Sequence, residues 1–262
     1  MNYGLYLSAS GILTSMYRQD VFANNLANVH TVGFKPDVAM VRQRDPESVE
    51  AGTGFEFENN LLDKLGGGVH AGPQHLNLTP GSLNKTSRDL DAALTDSNAF
   101  YVLSVPQGDA RAEQIQLTRD GRFTVSTEGT LVSVAGGHKI LDRDGRPIQL
   151  DGDDKVTLGT SGEVIQNGEV VARLQVAEVA DVERLVKVGG NRLRIDGPPS
   201  LRRVIEQPRV RPGFLESSGV DPIKALMQVI SATKAATSNG NLIRYHDLMM
   251  DRAVNVLGRV QA

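Results

Sequence analysis

The chain of 262 residues contains no cysteine and no tryptophan, and aromatic residues make up only 5% of it. Without cysteine there are no disulfides, no thiolate metal sites and no cysteine nucleophiles. The compartment stays open, because a chain without thiols has nothing to mispair in an oxidising space. So few aromatics predict a core that is thin or mainly aliphatic. No run of ~18 apolar residues occurs, so no membrane-spanning helix is expected. The N-terminus lacks the basic and continuously apolar regions of a secretory signal. That predicts either retention in the cytoplasm or exit by a route that reads something else. The net charge is only −3, so no overall field recruits nucleic acid. The most basic stretch holds Arg202, Arg203, Arg209 and Arg211, is interrupted by Glu206, and reads as a solvated face or linker.

Signals of catalysis are equally scarce. There is no Gly-x-Ser-x-Gly elbow, dinucleotide fingerprint or Walker loop. Gly66-Gly67-Gly68 reads as a flexible turn, since no Lys-Ser or Lys-Thr follows it. The histidines His30, His70, His75, His138 and His246 form no HExxH and no helical pair four residues apart. His70 and His75 flank Gly72-Pro73 and are expected on a loop. Asp142, Asp144, Asp151, Asp153 and Asp154 are dense in carboxylate but lack the order of a calcium loop, and two hairpin turns account for them. No cofactor, metal or catalytic residue is therefore expected. A hydrolase built on these aspartates, or on His70 and His75, is the least favoured reading.

What is present begins with the first helix. Leu5, Ala9, Ile12, Met16, Ala23 and Leu26 recur at alternating steps of four and three, with Gln19 as the polar exception. This is the seam of a helix that packs along another helix. A helix of about 25 residues is about 37 Å long and cannot bury such a seam alone. It ends in Asn24, Asn25 and Asn28, then Thr31-Val32-Gly33, before Pro36 disfavours helical geometry. Near the other terminus the period returns. Ser217, Ser218 or Asp221 can cap, and Pro222 suits a first helical position. Ile223, Met227 and Ile230 form one stripe, which Leu242, Met249, Ala253 and Val256 continue beyond a polar middle, Lys234 to Asn241. The partner of the first helix is thus expected to be the last. Gln19 and Lys234 would help fix register, as polar residues in a seam can.

Between the helices the pattern is β. Phe55–Glu58 alternates like a short strand. Strand-like runs follow at 69–71, 100–105, 115–118, 122–125, 131–134, 148–150, 155–158, 163–165, 170–177 and 192–195. Asp120-Gly121, Glu128-Gly129, Asp144-Gly145, Ser161-Gly162 and Asn167-Gly168 separate them with hairpin-turn chemistry. Spacing of about ten residues predicts an antiparallel sandwich or barrel. Residues 196–214, with four prolines among arginines, read as an extended connection rather than a sheet centre. The fold class expected is α+β: a discontinuous helical domain from residues 1–35 and 217–262, a connecting segment 36–68, and an inserted antiparallel β domain 69–216.

Ala23-Asn24-Asn25-Leu26-Ala27-Asn28-Val29-His30-Thr31-Val32-Gly33-Phe34-Lys35 closely resembles the N-terminal signature of the flagellar basal-body rod and hook family. Three further blocks agree in order: Gly81–Thr86 with Leu90–Leu94, Leu117–Phe123 with Gly129–Val132, and Gly213–Asp221. The departures are His30 where Ser or Asn is usual, Asn98-Ala99 in place of glycines, Gly219 in place of an asparagine, and Ala236-Thr237-Ser238-Asn239 without the usual aromatic.

The resemblance implies a structural subunit of an axial tubular filament, with terminal helices inside and the β domain outside. It implies self-association, contact with other flagellar axial proteins, and export by the flagellar type III apparatus into the periplasm-spanning rod of the basal body. No nucleic acid partner and no membrane insertion are expected. The assembly surface would include Leu5, Ala9, Ile12, Met16, Ala23, Asn24, Asn25, Leu26, Asn28, Thr31, Gly33 and Phe34. From the last helix it would include Val220, Ile223, Met227, Ile230, Asn239, Leu242 and Met249. The length favours rod over hook, and the segment after Pro36 favours the distal rod, with the proximal rod next. The alternative outside the family is a β-domain binding module on a helical stalk.

Overall fold

The computed structural model describes residues 3–45, 66–107, 112–151, 154–198 and 202–257. The predicted strand at Phe55–Glu58 lies outside them. The described residues form two long helices and a largely antiparallel set of strands, an α+β protein. They divide into two compact units. One holds residues 1–27, 37–75 and 221–262, and the other holds 28–36 and 76–220. The division differs from the one expected. Asn28–Pro36 groups with the β unit because its backbone and its lysine bond there, and residues 37–75 group with the helices because a strand pair lies along the first one.

In the helical unit, α1 (Tyr3–Ala27) and α2 (Pro222–Arg252) are 25 and 31 residues long. Of the three candidate caps, Asp221 is the one used. Its carboxylate accepts the N–H groups of Ile223 at 2.9 Å and Lys224 at 3.1 Å, and Pro222 follows at a position that needs no N–H donor. The pair Val41–Gln43 and Val69–Ala71 runs antiparallel. It is tied to α1 by the Ser10 hydroxyl, which donates to the Val69 carbonyl at 2.5 Å, and by the Tyr17 hydroxyl, which donates to the Gly72 carbonyl at 3.2 Å. His70 and His75 therefore lie in strands and not on a loop.

The β unit is built around Ala99–Gln107. This strand pairs with Ala112–Thr118 on one side and with both Lys139–Ile140 and Val176–Val179 on the other. Both its faces are covered. Tyr101 and Leu103 enter one core, with Phe123, Leu131, Ile140, Ile148, Val164 and Val176, and Phe100 and Val102 enter a second, with Leu117, Val179, Leu185 and Leu193. A strand buried on both faces reads as a continuous apolar run, as 100–105 does. Tyr101 is the largest fully buried side chain. Its ring meets Phe123 edge-on at 5.0 Å, and its hydroxyl donates to the Ala92 carbonyl at 3.0 Å. Burial pushes that phenol well above its ordinary pKa.

Several sequence expectations change here. The run 170–177 is two strands. Glu169–Arg173 belongs to a three-stranded sheet with Val156–Leu158 and Glu163–Gln166, and Val176–Val179 belongs to the large sheet. The chain changes sheets at Leu174-Gln175, which a uniform apolar pattern hides. Residues 196–214 also contribute strands: Arg202–Val204 at a sheet edge, and Val210–Pro212 against Ala92–Leu94. The segment 148–150 forms a single bridge, Thr130 with Gln149. Asn167-Gly168 does make the expected hairpin, with φ of 53° and 88°, as a type I′ turn requires. Asp120-Gly121 does not. Its flanking strands are not paired to each other, and Asp120 is fully buried.

Candidate assembly interface

Within the β unit, three of the sequence blocks meet in one buried ion cluster. Lys35 comes from the block Thr31–Lys35, Arg119 from Leu117–Phe123, and Glu216 from Gly213–Asp221. Lys35 Nζ lies 2.7 Å from Glu216 Oε1, and Arg119 Nε lies 2.5 Å from Glu216 Oε2, with all three side chains at most 2% exposed. The remaining donors are used as well. Lys35 also donates to the carbonyls of Leu78 and Thr79, and Arg119 donates to those of Leu94, Asp96 and Ala99. Glu216 Oε1 accepts the Gly81 N–H at 2.9 Å, which brings in a fourth block. Burial alone would raise the Glu216 carboxyl, but Arg119 and then Lys35 outweigh it and hold it below the usual carboxylate range. Burial lowers the Lys35 ammonium, and Glu216 offsets part of that.

Backbone contacts lock the same segment. Gly33 N–H donates to the Glu216 carbonyl at 2.8 Å, and Gly219 N–H donates to the Phe34 carbonyl at 2.9 Å. Gly33 has φ +66°, and a Cβ there would lie 2.5 Å from the Arg119 carbonyl oxygen, so both conformation and space require glycine. The Asn191 side chain donates to the Val32 carbonyl at 2.7 Å, and Lys187 Nζ sits 4.1 Å from the centre of the Phe34 ring. At Gly219, where relatives are expected to carry asparagine, a Cβ would lie 3.1 Å from Pro36 Cδ. His30 is exposed.

Within the helical unit, the two helices meet through small residues. A Cβ on Gly4 would lie 2.8 Å from His246 Nε2, and one on Gly11 would lie 2.6 Å from Asn239 Nδ2. Val21, Phe22 and Ala232 form a buried cluster with Tyr17, Ala39 and Val229 against it. On α2 the buried or half-buried positions include Ala225, Val229, Ala232, Ala236, Asn239, Ile243 and His246, which alternate by four and three, with Gln228 and Gly240 half-buried beside them. Apart from Val229 and Ile243, the bulky apolar residues lie elsewhere and face outward. Ile223 is 75% exposed, Met227 62% and Met249 58%, with Leu226, Ile230, Leu242, Tyr245 and Leu248 also exposed. On α1 the same holds for Leu5, Tyr6, Leu13 and Met16.

These placements reorder the expected surface. Leu5, Met16, Ala23, Asn24, Ile223, Met227, Ile230, Leu242 and Met249 are exposed. Ala9, Ile12, Leu26, Asn28, Thr31, Val220 and Asn239 are half-buried. Asn25 is buried, and its side-chain amide both donates to the Asp37 carbonyl at 2.8 Å and accepts the Asp37 N–H at 2.9 Å. Gly33 and Phe34 are interior to the β unit. Those three make their contacts within the single chain. The stripe expected to pair α2 with α1 is the one left uncovered, because close helix packing selects the small side chains. Leu13, Tyr6, Leu226, Tyr245 and Leu248 are exposed on the same helices and were not among the expected residues. Lys35, Arg119 and Glu216 were also missed as a group, since nothing in the sequence brings positions so far apart together.

Of the aspartates of the weak hydrolase reading, Asp142 and Asp144 belong to one turn region. Asp142 Oδ1 accepts the N–H groups of Asp144 and Arg146, and residues 152–153 lie outside the described set. Among the described residues no group of three metal-ligating side chains converges, and no helix is long and apolar enough to cross a membrane.

Comparison with known proteins gives the family of the chain. Residues 5–35 match the family of flagella basal body rod proteins. The chain is 30% identical to the flagellar basal-body rod protein FlgF of Caulobacter vibrioides, over 99% of this chain and all of the relative. The chain belongs to the flagellar basal-body rod protein family. It is also 29% identical to FlgF of Rhizobium meliloti and 26% identical to the rod protein FlgG of Bacillus subtilis, again over nearly the full length of both chains. In this rod-family chain the matched residues 5–35 comprise most of α1 and the segment that ends at Lys35.

Proposed function

We propose that the chain is a structural, non-enzymatic subunit that polymerises through α1 and α2 into the axial rod of the flagellar basal body. The observation that carries this reading is the outward row of large apolar side chains on both helices. Large apolar side chains left in water mark an interaction site, and an assembly would give Leu13, Met16, Leu226, Met227 and Ile230, all exposed in the single chain, an interior. Other copies of this chain supply that interior, with α1 and α2 as one helical assembly domain, discontinuous in sequence. The β unit, locked internally by the Lys35–Glu216–Arg119 cluster, is then a rigid body carried by each subunit. The partners at the ends of its stretch of rod are other flagellar axial proteins. The subunit reaches the rod through the flagellum's own type III apparatus and does not insert in the membrane.

Within the rod, the higher identity to the FlgF relatives than to the FlgG relative supports the position that FlgF subunits hold. The distal position suggested by the segment after Pro36, and the proximal alternative, are separated by imaging labelled subunits in isolated basal bodies. The reading itself is tested by sedimentation. The full chain is expected to form large assemblies in a concentration-dependent way. A chain lacking residues 1–27 is expected to stay monomeric while keeping the circular dichroism of its β unit. Polymers of unchanged size from the truncated chain would refute the proposal.

A further inference from the structure

The contacts between α1 and α2 follow a size rule. Gly4 faces His246 and Gly11 faces Asn239, so the numbers fall by seven on one helix as they rise by seven on the other. This is the relation for antiparallel helices in heptad register. Carried further, it sets Arg18 level with Ala232 and Asn25 level with Ala225. Ala232 and Ala225 are the two fully covered residues of α2. The alternate layer runs Ser8 with Ile243, Ser15 with Ala236 and Phe22 with Val229, the last pair falling in one apolar cluster. Each glycine of α1 faces a large polar residue of α2, while Ser15 and Ala236 in the alternate layer are both small. The two largest polar side chains of the α2 seam stand over the two glycines of α1.

We infer that Asn239 and His246, seated on Gly11 and Gly4, are positioning residues that fix a single register of the helix pair, and that this register is what makes the pair competent to polymerise. The second part rests on the polymerisation proposed above. A slip of one heptad in one direction brings His246 over Gly11, but it leaves Asn239 level with Arg18 instead of a glycine and Gly4 without its partner. A slip in the other direction sets Gly11 against Ala232, small against small, and leaves His246 unseated. Either slip also moves the outer face of one helix past the other by about 10 Å. The outward residues Leu13 and Met16 on α1 would then lie beside a different part of α2, and the composite surface offered to a neighbour would change. A polar residue at one seam position is a known means of selecting register. Here its specificity comes from the missing Cβ opposite, since neither glycine can gain a side chain without displacing the polar group.

Because the chain has no cysteine, engineered cysteine pairs report register without background. Ser15→Cys with Ala236→Cys reports the native register. Ser15→Cys with Ile243→Cys, or with Val229→Cys, reports the two slips. In the full-length protein the native pair is expected to oxidise at least tenfold faster than either slipped pair. Gly11→Asn is expected to abolish that preference and to abolish polymerisation. The exchange Gly11→Asn with Asn239→Gly is expected to restore both to within about twofold. A Gly11→Asn chain that keeps the native preference would overturn the inference, whether or not it polymerises, and so would an exchange that restores neither property. Register is read in the monomer and polymerisation by sedimentation, so failure of the full chain to polymerise would count against the proposed function and leave the register measurement standing.

Discussion

Glu216→Gln is expected to destabilise the β unit by about 3–5 kcal/mol, the cost of removing one partner of a buried ion group and leaving its cations uncompensated. Glu216 is the only carboxylate among the described residues within ion-pair distance of Lys35 and Arg119, both of which are buried. Glutamine also loses charge assistance in the bond from Gly81. Lys35→Met is expected to cost less, because Glu216 keeps Arg119 and the Gly81 N–H. Arg119→Met is expected to cost at least as much as Glu216→Gln, since the carbonyls of Leu94, Asp96 and Ala99 lose their donor together. Denaturant unfolding followed by tyrosine fluorescence measures all three. The pH dependence has a fixed sign. The native Glu216 pKa lies below its ordinary value of 4.5, so its contribution is complete above that value and is lost as pH falls through the native one. The parent protein is expected to lose stability in acid more steeply than Glu216→Gln. Equal acid slopes would mean that the carboxylate is not held by its two cations.

Leu13→Asp combined with Met227→Asp is expected to abolish assembly while leaving the monomer within about 0.5 kcal/mol of the parent, the usual range for exposed positions. Leu13 is 69% exposed in the single chain, so the substitution removes little that the monomer uses. In an assembly the same carboxylates would be buried without partners. Losing the apolar contact forfeits about 1.5–3 kcal/mol for each side chain that becomes fully buried, and an unpaired buried charge costs more. Even 3 kcal/mol in total raises the critical concentration about 100-fold. Sedimentation of the double variant beside the parent measures the effect. Assembly at the parent concentration would show that these faces stay wet. A matched pair on the covered side, Ala225→Asp with Ala232→Asp, is expected instead to unfold the helix pair.

The long apolar periods at each end of the chain were legible as helices, and Asp221-Pro222 as a helix start, because local chemistry decides both. The alternation of strands and turns was legible for the same reason, down to the positive φ at Asn167-Gly168. Which face of α2 meets α1 was not. Periodicity ranks residues by hydrophobicity and so selected Ile223, Met227 and Met249, whereas close packing ranks them by size and used Ala225, Ala232 and Asn239. The sheet change at Leu174-Gln175 was hidden because two strands joined without a turn residue look like one. The resemblance marked the blocks that hold Lys35, Arg119 and Glu216. Only the folded chain shows that a signature which reads as an assembly motif also closes an internal ion cluster, and that Gly33 is fixed by the Arg119 backbone.

The most direct test of the assembly claim is the accessibility of a single cysteine at Leu13 or Met227, introduced one at a time into this cysteine-free chain. Maleimide labelling is compared between the purified monomer and isolated basal bodies that contain the variant. Rapid labelling in the monomer and protection in the basal body is the predicted result. Equal labelling in both would contradict the claim that other subunits cover the outer faces of α1 and α2.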